Sequence, residues 1–128
     1  EDTKLTSGTY SISTAEELAK LARMTNNYKI DTNCEFVLAD DIDLSAYSTG
    51  EGWTPIGTSN QFTATFDGNG YVISNLYINT PSINCVGLFR WCNFAEIKNV
   101  GLENVDVTGD YEVGGLMGRG CNVTISNS

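Results

Sequence analysis

Ile73-Ser74-Asn75-Leu76, Ile97-Lys98-Asn99-Val100 and Ile125-Ser126-Asn127-Ser128 are three versions of one phrase, separated by 24 and 28 residues. Recurrence in this range marks one supersecondary unit stacked on the next. A second phrase recurs with it: Val86-Gly87-Leu88-Phe89 precedes Ile97, and Val113-Gly114-Gly115-Leu116 precedes Ile125 at a similar distance. Two segments of each unit therefore repeat together, which predicts a stacked fold.

The residues within the phrase select strands. Tyr71, Ile73 and Asn75 alternate with polar neighbours, as do Ala95, Ile97 and Asn99, and Val123, Ile125 and Asn127; a period of two puts such residues on one face of a strand. After each Asn the apolar phase shifts by one, to Leu76 and Ile78 and to Val100 and Leu102. Asn tolerates left-handed backbone and bonds its neighbours, so each phase break reads as a corner, and stacked corners predict an Asn ladder. Gly, Asn, Thr and Val dominate the region and no 3.6-residue apolar stripe persists, which argues against helix.

Earlier in the chain, Phe62, Ala64 and Phe66 alternate with threonines before the turn-forming Asp67-Gly68-Asn69-Gly70, and Phe36/Leu38 and Ile42/Leu44 flank Ala39-Asp40-Asp41. The count comes to about four coils. The first thirty residues differ. Tyr10 and Ile12 read as a short strand, and Thr14-Ala15-Glu16-Glu17 as a capping box opening a helix with Leu18, Leu21 and Ala22 on one face. A solenoid end left bare recruits other chains, so this helix is expected to be an end cap. The organisation predicted is residues 1–30 as strand and capping helix and 31–128 as the coils of one structural domain.

Gly87-Leu88-Phe89, Gly114-Gly115-Leu116-Met117-Gly118, Trp53-Thr54-Pro55-Ile56-Gly57 and the run from Phe66 to Leu76 together resemble the GLUG-repeat proteins, bacterial surface and secreted proteins that include adhesins. The resemblance runs from about Ile12 to the end. It implies a right-handed parallel β-helix, an all-β solenoid, and an extracellular or cell-surface location. Because the family motif is structural, it transfers no catalytic residue. Arg90 departs from the pattern where a Gly often follows Gly-Leu-Phe.

The 128-residue chain carries a formal net charge of −9, with its seven basic residues scattered singly, so no patch suited to nucleic acid is present. No run approaches the roughly 20 apolar residues that span a bilayer. With neither an initiator Met nor a basic-plus-apolar leader, an export signal is expected to have been removed. The sequence contains no His, which excludes Ser-His-Asp, Cys-His and His-ligated metal chemistry within the chain. Without His or a Cys-x-x-Cys pair, no metal site and no cofactor are expected.

Carboxylates remain. Asp41 and Asp43 share a strand face if residues 37–44 are extended, and paired carboxylates are the minimum for glycoside hydrolysis; a solvated turn explains them more simply, and Asp-x-Asp is a weak calcium signal. Of Cys34, Cys85, Cys92 and Cys121, repeat register favours a Cys92–Cys121 pair if any is oxidised, against the simpler reading of buried free thiols. Candidate ligand-contacting residues are the outward aromatics Tyr77, Trp91 and Tyr111, which suit sugar stacking or protein contacts; packing against the next coil is the competing reading. The functional expectation is a non-catalytic module of an adhesin-like bacterial surface protein contacting a host or environmental glycan or protein, with a carbohydrate-active enzyme and a structural stalk as alternatives. The chain stops after the third Asn corner with nothing to close it. It is therefore expected to be the amino-terminal part of a longer repeat protein, or else to self-associate end to end through its open last coil.

Overall fold

A computed structural model of the chain describes residues 4–110, 113, 117–121 and 124–126. Strand β1 (Leu5–Ile12) leads into α1 (Ala15–Asn26), which is followed by β2 (Ile30–Leu38) and β3 (Ile42–Asp43). After a 3-10 turn at Ser45–Tyr47 come β4 (Thr65–Asp67), β5 (Val72–Ser74), β6 (Tyr77–Asn79), β7 (Phe89–Asn93), β8 (Glu96–Lys98), β9 (Gly101–Glu103), β10 (Asp106–Thr108), β11 (Met117–Cys121) and β12 (Thr124–Ser126).

Helix α1 begins as its sequence predicts. The Thr14 hydroxyl accepts from the Glu17 backbone N–H at 3.1 Å, and the Glu17 carboxylate accepts from the Ser13 backbone N–H at 2.7 Å. That backbone donor is the main reason the Glu17 carboxyl is held below the usual carboxylate range. Leu18, Leu21 and Ala22 join Ile12, Phe36 and Leu38 in the buried core. At its far end the helix is tied down by Asn26, whose Oδ1 accepts from the backbone of Gly57 and Thr58 at 2.9 and 2.7 Å.

The strands pair in parallel, but the right-handed parallel β-helix of about four coils must be corrected. The strands fall into four separate sheets, ordered β1-β2-β4-β8-β12, β3-β5-β9, β6-β10 and β7-β11, and no closed coil is completed among the described residues. Residues 44–64 show why. A solenoid needs every circuit to lay a strand on every face, whereas this segment forms the 3-10 turn and single bridges, including an antiparallel one from Gly52 to Ile78. Strands β4, β5, β6 and β8 each bury their central residue and leave its neighbours less buried, so each is held in place by its inward side chain.

Register shows which residues are equivalent. Phe36 pairs with Phe66, Phe66 with Ile97 and Ile97 with Ile125, whereas Ile73 pairs with Ile42 and Leu102 in a different sheet. Ile73 is therefore not the counterpart of Ile97, and the 24-residue interval between them is not a structural repeat. A chain of rings links the core across the sheets: Tyr10 on Phe36 at 5.6 Å, Phe36 to Phe62 at 6.4 Å, Phe62 to Phe89 at 5.0 Å and Phe89 to Phe66 at 5.3 Å.

Cys34 and Cys92 are buried free thiols. Burial pushes the Cys92 thiol up to about 12, so it stays protonated and inert at neutral pH. In the β7–β11 ladder Cys92 stands opposite Gly120, and Cys121 opposite Asn93.

Candidate functional site

The corners carry the acidic residues. Asn75 and Asn99 adopt left-handed backbone, at φ 63° and 58°, as do Asn69 and Asn104. The Asn75 amide donates to Asp43 at 2.8 Å and the Asn99 amide to Asp67 at 3.0 Å. Each ladder step is thus an Asn donating to an Asp about one structural repeat earlier. Asn75 and Asn99 belong to different corners, and Asn127 lies outside the described residues.

These bonds commit the carboxylates considered for catalysis. Asp43 also accepts from the Ser45 backbone N–H at 2.9 Å, while Asp41 accepts from that of Val72 at 2.8 Å. Asp41 and Asp43 face solvent as structural acceptors. No cluster of His, Cys, Asp and Glu able to hold a metal ion occurs among the described residues.

The Asn75 amide, followed by the Ser45 N–H, holds the Asp43 carboxyl below the usual range. With its folded pKa below the unfolded value of about 3.9, Asp43 favours the fold above that value and loses its contribution as pH falls through the folded pKa. Asn75→Gly keeps the left-handed backbone and removes the amide. It should move the Asp43 carboxyl back toward the ordinary range in an NMR pH titration; an unchanged titration would show that the amide bond is not the cause.

The three aromatic candidates are not brought together. Tyr77 is half-buried on β6, and a Cβ added at Gly52 would lie 2.8 Å from its ring. Trp91 is half-buried on β7, with the Arg90 guanidinium 4.6 Å from its ring centre, so one face is already covered. Tyr111 lies outside the described residues.

Two other surfaces stand out. Arg23, Asn26, Tyr47 and Trp53 border a cleft of about 310 Å³ where α1 meets the irregular segment after β3, but Asn26 is occupied in holding the helix end. An open groove of about 740 Å³ runs over the outer face of the five-stranded sheet, bordered by Thr32, Asn33, Thr63, Thr65, Phe94 and Glu96. Phe94 is 70% exposed and left-handed at φ 55°, a conformation that costs a residue with a Cβ about 1–2 kcal/mol. Tyr28 shares both properties, at 63% exposure and φ 61°, but its hydroxyl donates to the Ser59 carbonyl at 3.0 Å and fastens a loop. Phe94 was missed because it looks like one more apolar residue between Asn93 and Ala95. Setting 62–66 against 92–97 would have shown an aromatic in excess there.

No family model and no solved structure matches the chain, so the resemblance to GLUG-repeat proteins rests on the phrases quoted above. Two relatives do match. The chain is 38% identical over 105 residues to a protein of Evansella cellulosilytica with the provisional name Gly-rich membrane protein, the match covering 80% of this chain and 11% of the relative. It is 35% identical over 122 residues to halomucin of Haloquadratum walsbyi, covering 88% of this chain and 1% of the relative. The chain thus spans a small fraction of the relatives it matches. Their names associate these relatives with the cell surface.

Proposed function

We propose that this chain is a non-catalytic module of a larger cell-surface or secreted protein, serving to contact an external glycan or protein. The observation that carries the reading is the use made of its carboxylates: Asp41, Asp43 and Asp67 are spent on corners and strand ends, while a wide polar groove remains open. Matches to small parts of two much longer proteins, one named for a membrane and one a halomucin, support a module in a surface assembly.

The test exposes the chain to an array of plant, mucin and matrix polysaccharides and matrix proteins, following retained protein and released sugar ends in the same wells. Retention without release is expected. Release that disappears in Asp43→Asn would make the protein an enzyme, and absence of both signals would leave a spacer.

A further inference from the structure

We infer that the groove around Phe94 is a binding surface for an extended, uncharged polysaccharide, with the Phe94 ring as its stacking platform. This names the ligand class of the surface-module reading and rests on it.

The first support is how Phe94 comes to be exposed. Phe62 bridges Cys92, and Thr65 pairs with Glu96, so one strand advances three residues while its neighbour advances four. Asn93 keeps its ladder bond to the Phe62 carbonyl at 3.0 Å, and Glu96 its bond to that of Ala64 at 3.2 Å. Phe94, between them and left-handed, is the extra residue of the corner between β7 and β8, which belong to different sheets. There its side chain is left 70% exposed. Elsewhere most left-handed positions are filled by Asn, at 69, 75, 99 and 104, or by Gly, with Tyr28 and Cys85 as the other exceptions, so the backbone alone does not call for an aromatic. Phe here is costly both for its conformation and for the apolar surface it gives to water.

The second support is the set of groups around it. Among the described residues, the side chains of Thr32, Asn33, Thr63, Thr65 and Glu96 have no hydrogen-bond partner within the protein, in contrast to the committed Asp and Asn of the corners. Hydroxyls, an amide and a carboxylate in parallel rows about 4.8 Å apart present donors and acceptors beside an apolar ring. A pyranose matches this pattern, since its C–H face lies on an aromatic while its equatorial hydroxyls point outward to polar groups. The groove is open and its border crosses three neighbouring strands, β2, β4 and β8, which suits a chain better than a single sugar.

Charge narrows the class. Among the described residues no Lys or Arg borders the groove, Glu96 does, and the whole chain carries −9. Uronate, sulfated and sialylated chains would be repelled; a neutral hexose or pentose polymer would not.

Affinity electrophoresis of the whole chain through gels holding neutral glucans, mannans or xylans, against gels holding polygalacturonate or alginate, is the test. Phe94→Asn is the variant of choice because Asn accepts the left-handed backbone and the fold should survive. Retardation by at least one neutral polysaccharide is expected, weakened about tenfold or more in Phe94→Asn and several-fold in Asn33→Ala/Thr65→Val, with circular dichroism unchanged. Binding to a glycan or matrix protein that Phe94→Asn leaves intact would refute this site and spare the surface-module reading. Binding to none of the gels, and to no glycan or matrix protein of the array, would refute both. Preference for the acidic polymers, or a dimer that Phe94→Asn dissolves, would replace the neutral glycan with an acidic one or with a second copy of this chain.

Discussion

Phe66→Ala is expected to remove roughly 3–5 kcal/mol of stability, a large share of the about 5–15 kcal/mol that holds a domain of ordinary stability folded. Phe66 is fully buried and is the middle rung of the Phe36, Phe66, Ile97 row in the five-stranded sheet. Its ring meets that of Phe89, which belongs to the β7–β11 sheet, at 5.3 Å and 72°. One side chain thus joins two sheets that share no strand. The neighbours cannot close the gap by sliding, because each is fixed by its own ladder, so most of the cavity should persist and the cost should sit at the upper end of the range. Urea unfolding followed by tryptophan fluorescence should show a much lower midpoint with an unchanged slope. A loss below about 1 kcal/mol would mean that the core relaxes around the gap and that the sheets are not coupled through this ring.

Much of the fold was legible because it depends on local chemistry. The period-two alternation at Phe62 to Phe66 and at Ile97, the capping box at Thr14 to Glu17 and the left-handed Asn corners all stand where the sequence puts them. The equivalence of distant segments was less legible. Ile73-Ser74-Asn75 and Ile97-Lys98-Asn99 look alike because any strand that ends in a left-handed turn wants a buried β-branched residue followed by Asn; the phrase identifies a kind of junction, not a particular corner. Only hydrogen-bond register separates them, placing Ile73 beside Leu102 and Ile97 beside Phe66. The same local character explains why the repeats imply a closed helix that the chain does not form. Repeats reported parallel stacking, but the irregular course of residues 44–64, which decides whether a circuit closes, has no repeat to report it.

The candidate site follows the same division. Asp41 and Asp43 attracted attention as a carboxylate pair, a pattern that strand periodicity makes visible. Their engagement by Val72, Ser45 and Asn75 is a contact between segments about thirty residues apart in two cases, and spacing alone does not reveal it. Phe94 is the converse. Its type is ordinary, and its significance arises from one extra residue between two ladder bonds. Hydrophobic type signals burial in most positions, so an aromatic aimed outward at a corner is read as core until the register is known.

Gly68 and Gly70 flank Asn69 in one turn, yet substitution by Ala should separate them sharply. Sequence reading explained both by tight turning. Gly70 fits that account: it is left-handed at φ 83° with nothing within 4 Å of an added Cβ, so Gly70→Ala should cost about 1–2 kcal/mol through backbone strain. Gly68 is not left-handed. An added Cβ there would lie 2.3 Å from the Asn99 carbonyl oxygen and 2.8 Å from the Val100 Cα. Both obstacles are backbone, and the Gly68 N–H already donates to the Lys98 carbonyl at 2.8 Å. The turn cannot retreat without giving up that bond and the neighbouring bond from Asn99 to Asp67. Gly68→Ala should therefore cost about 3 kcal/mol or more, beyond ordinary overpacking, and Gly68→Asn should be no better. Gly70→Asn, in contrast, should recover most of the loss seen with Ala, because Asn accepts left-handed backbone. Thermal and urea unfolding of the four variants would decide it. Equal losses at the two positions, or rescue by Asn at 68, would mean that conformational freedom alone governs the turn and that the two chain segments do not approach this closely.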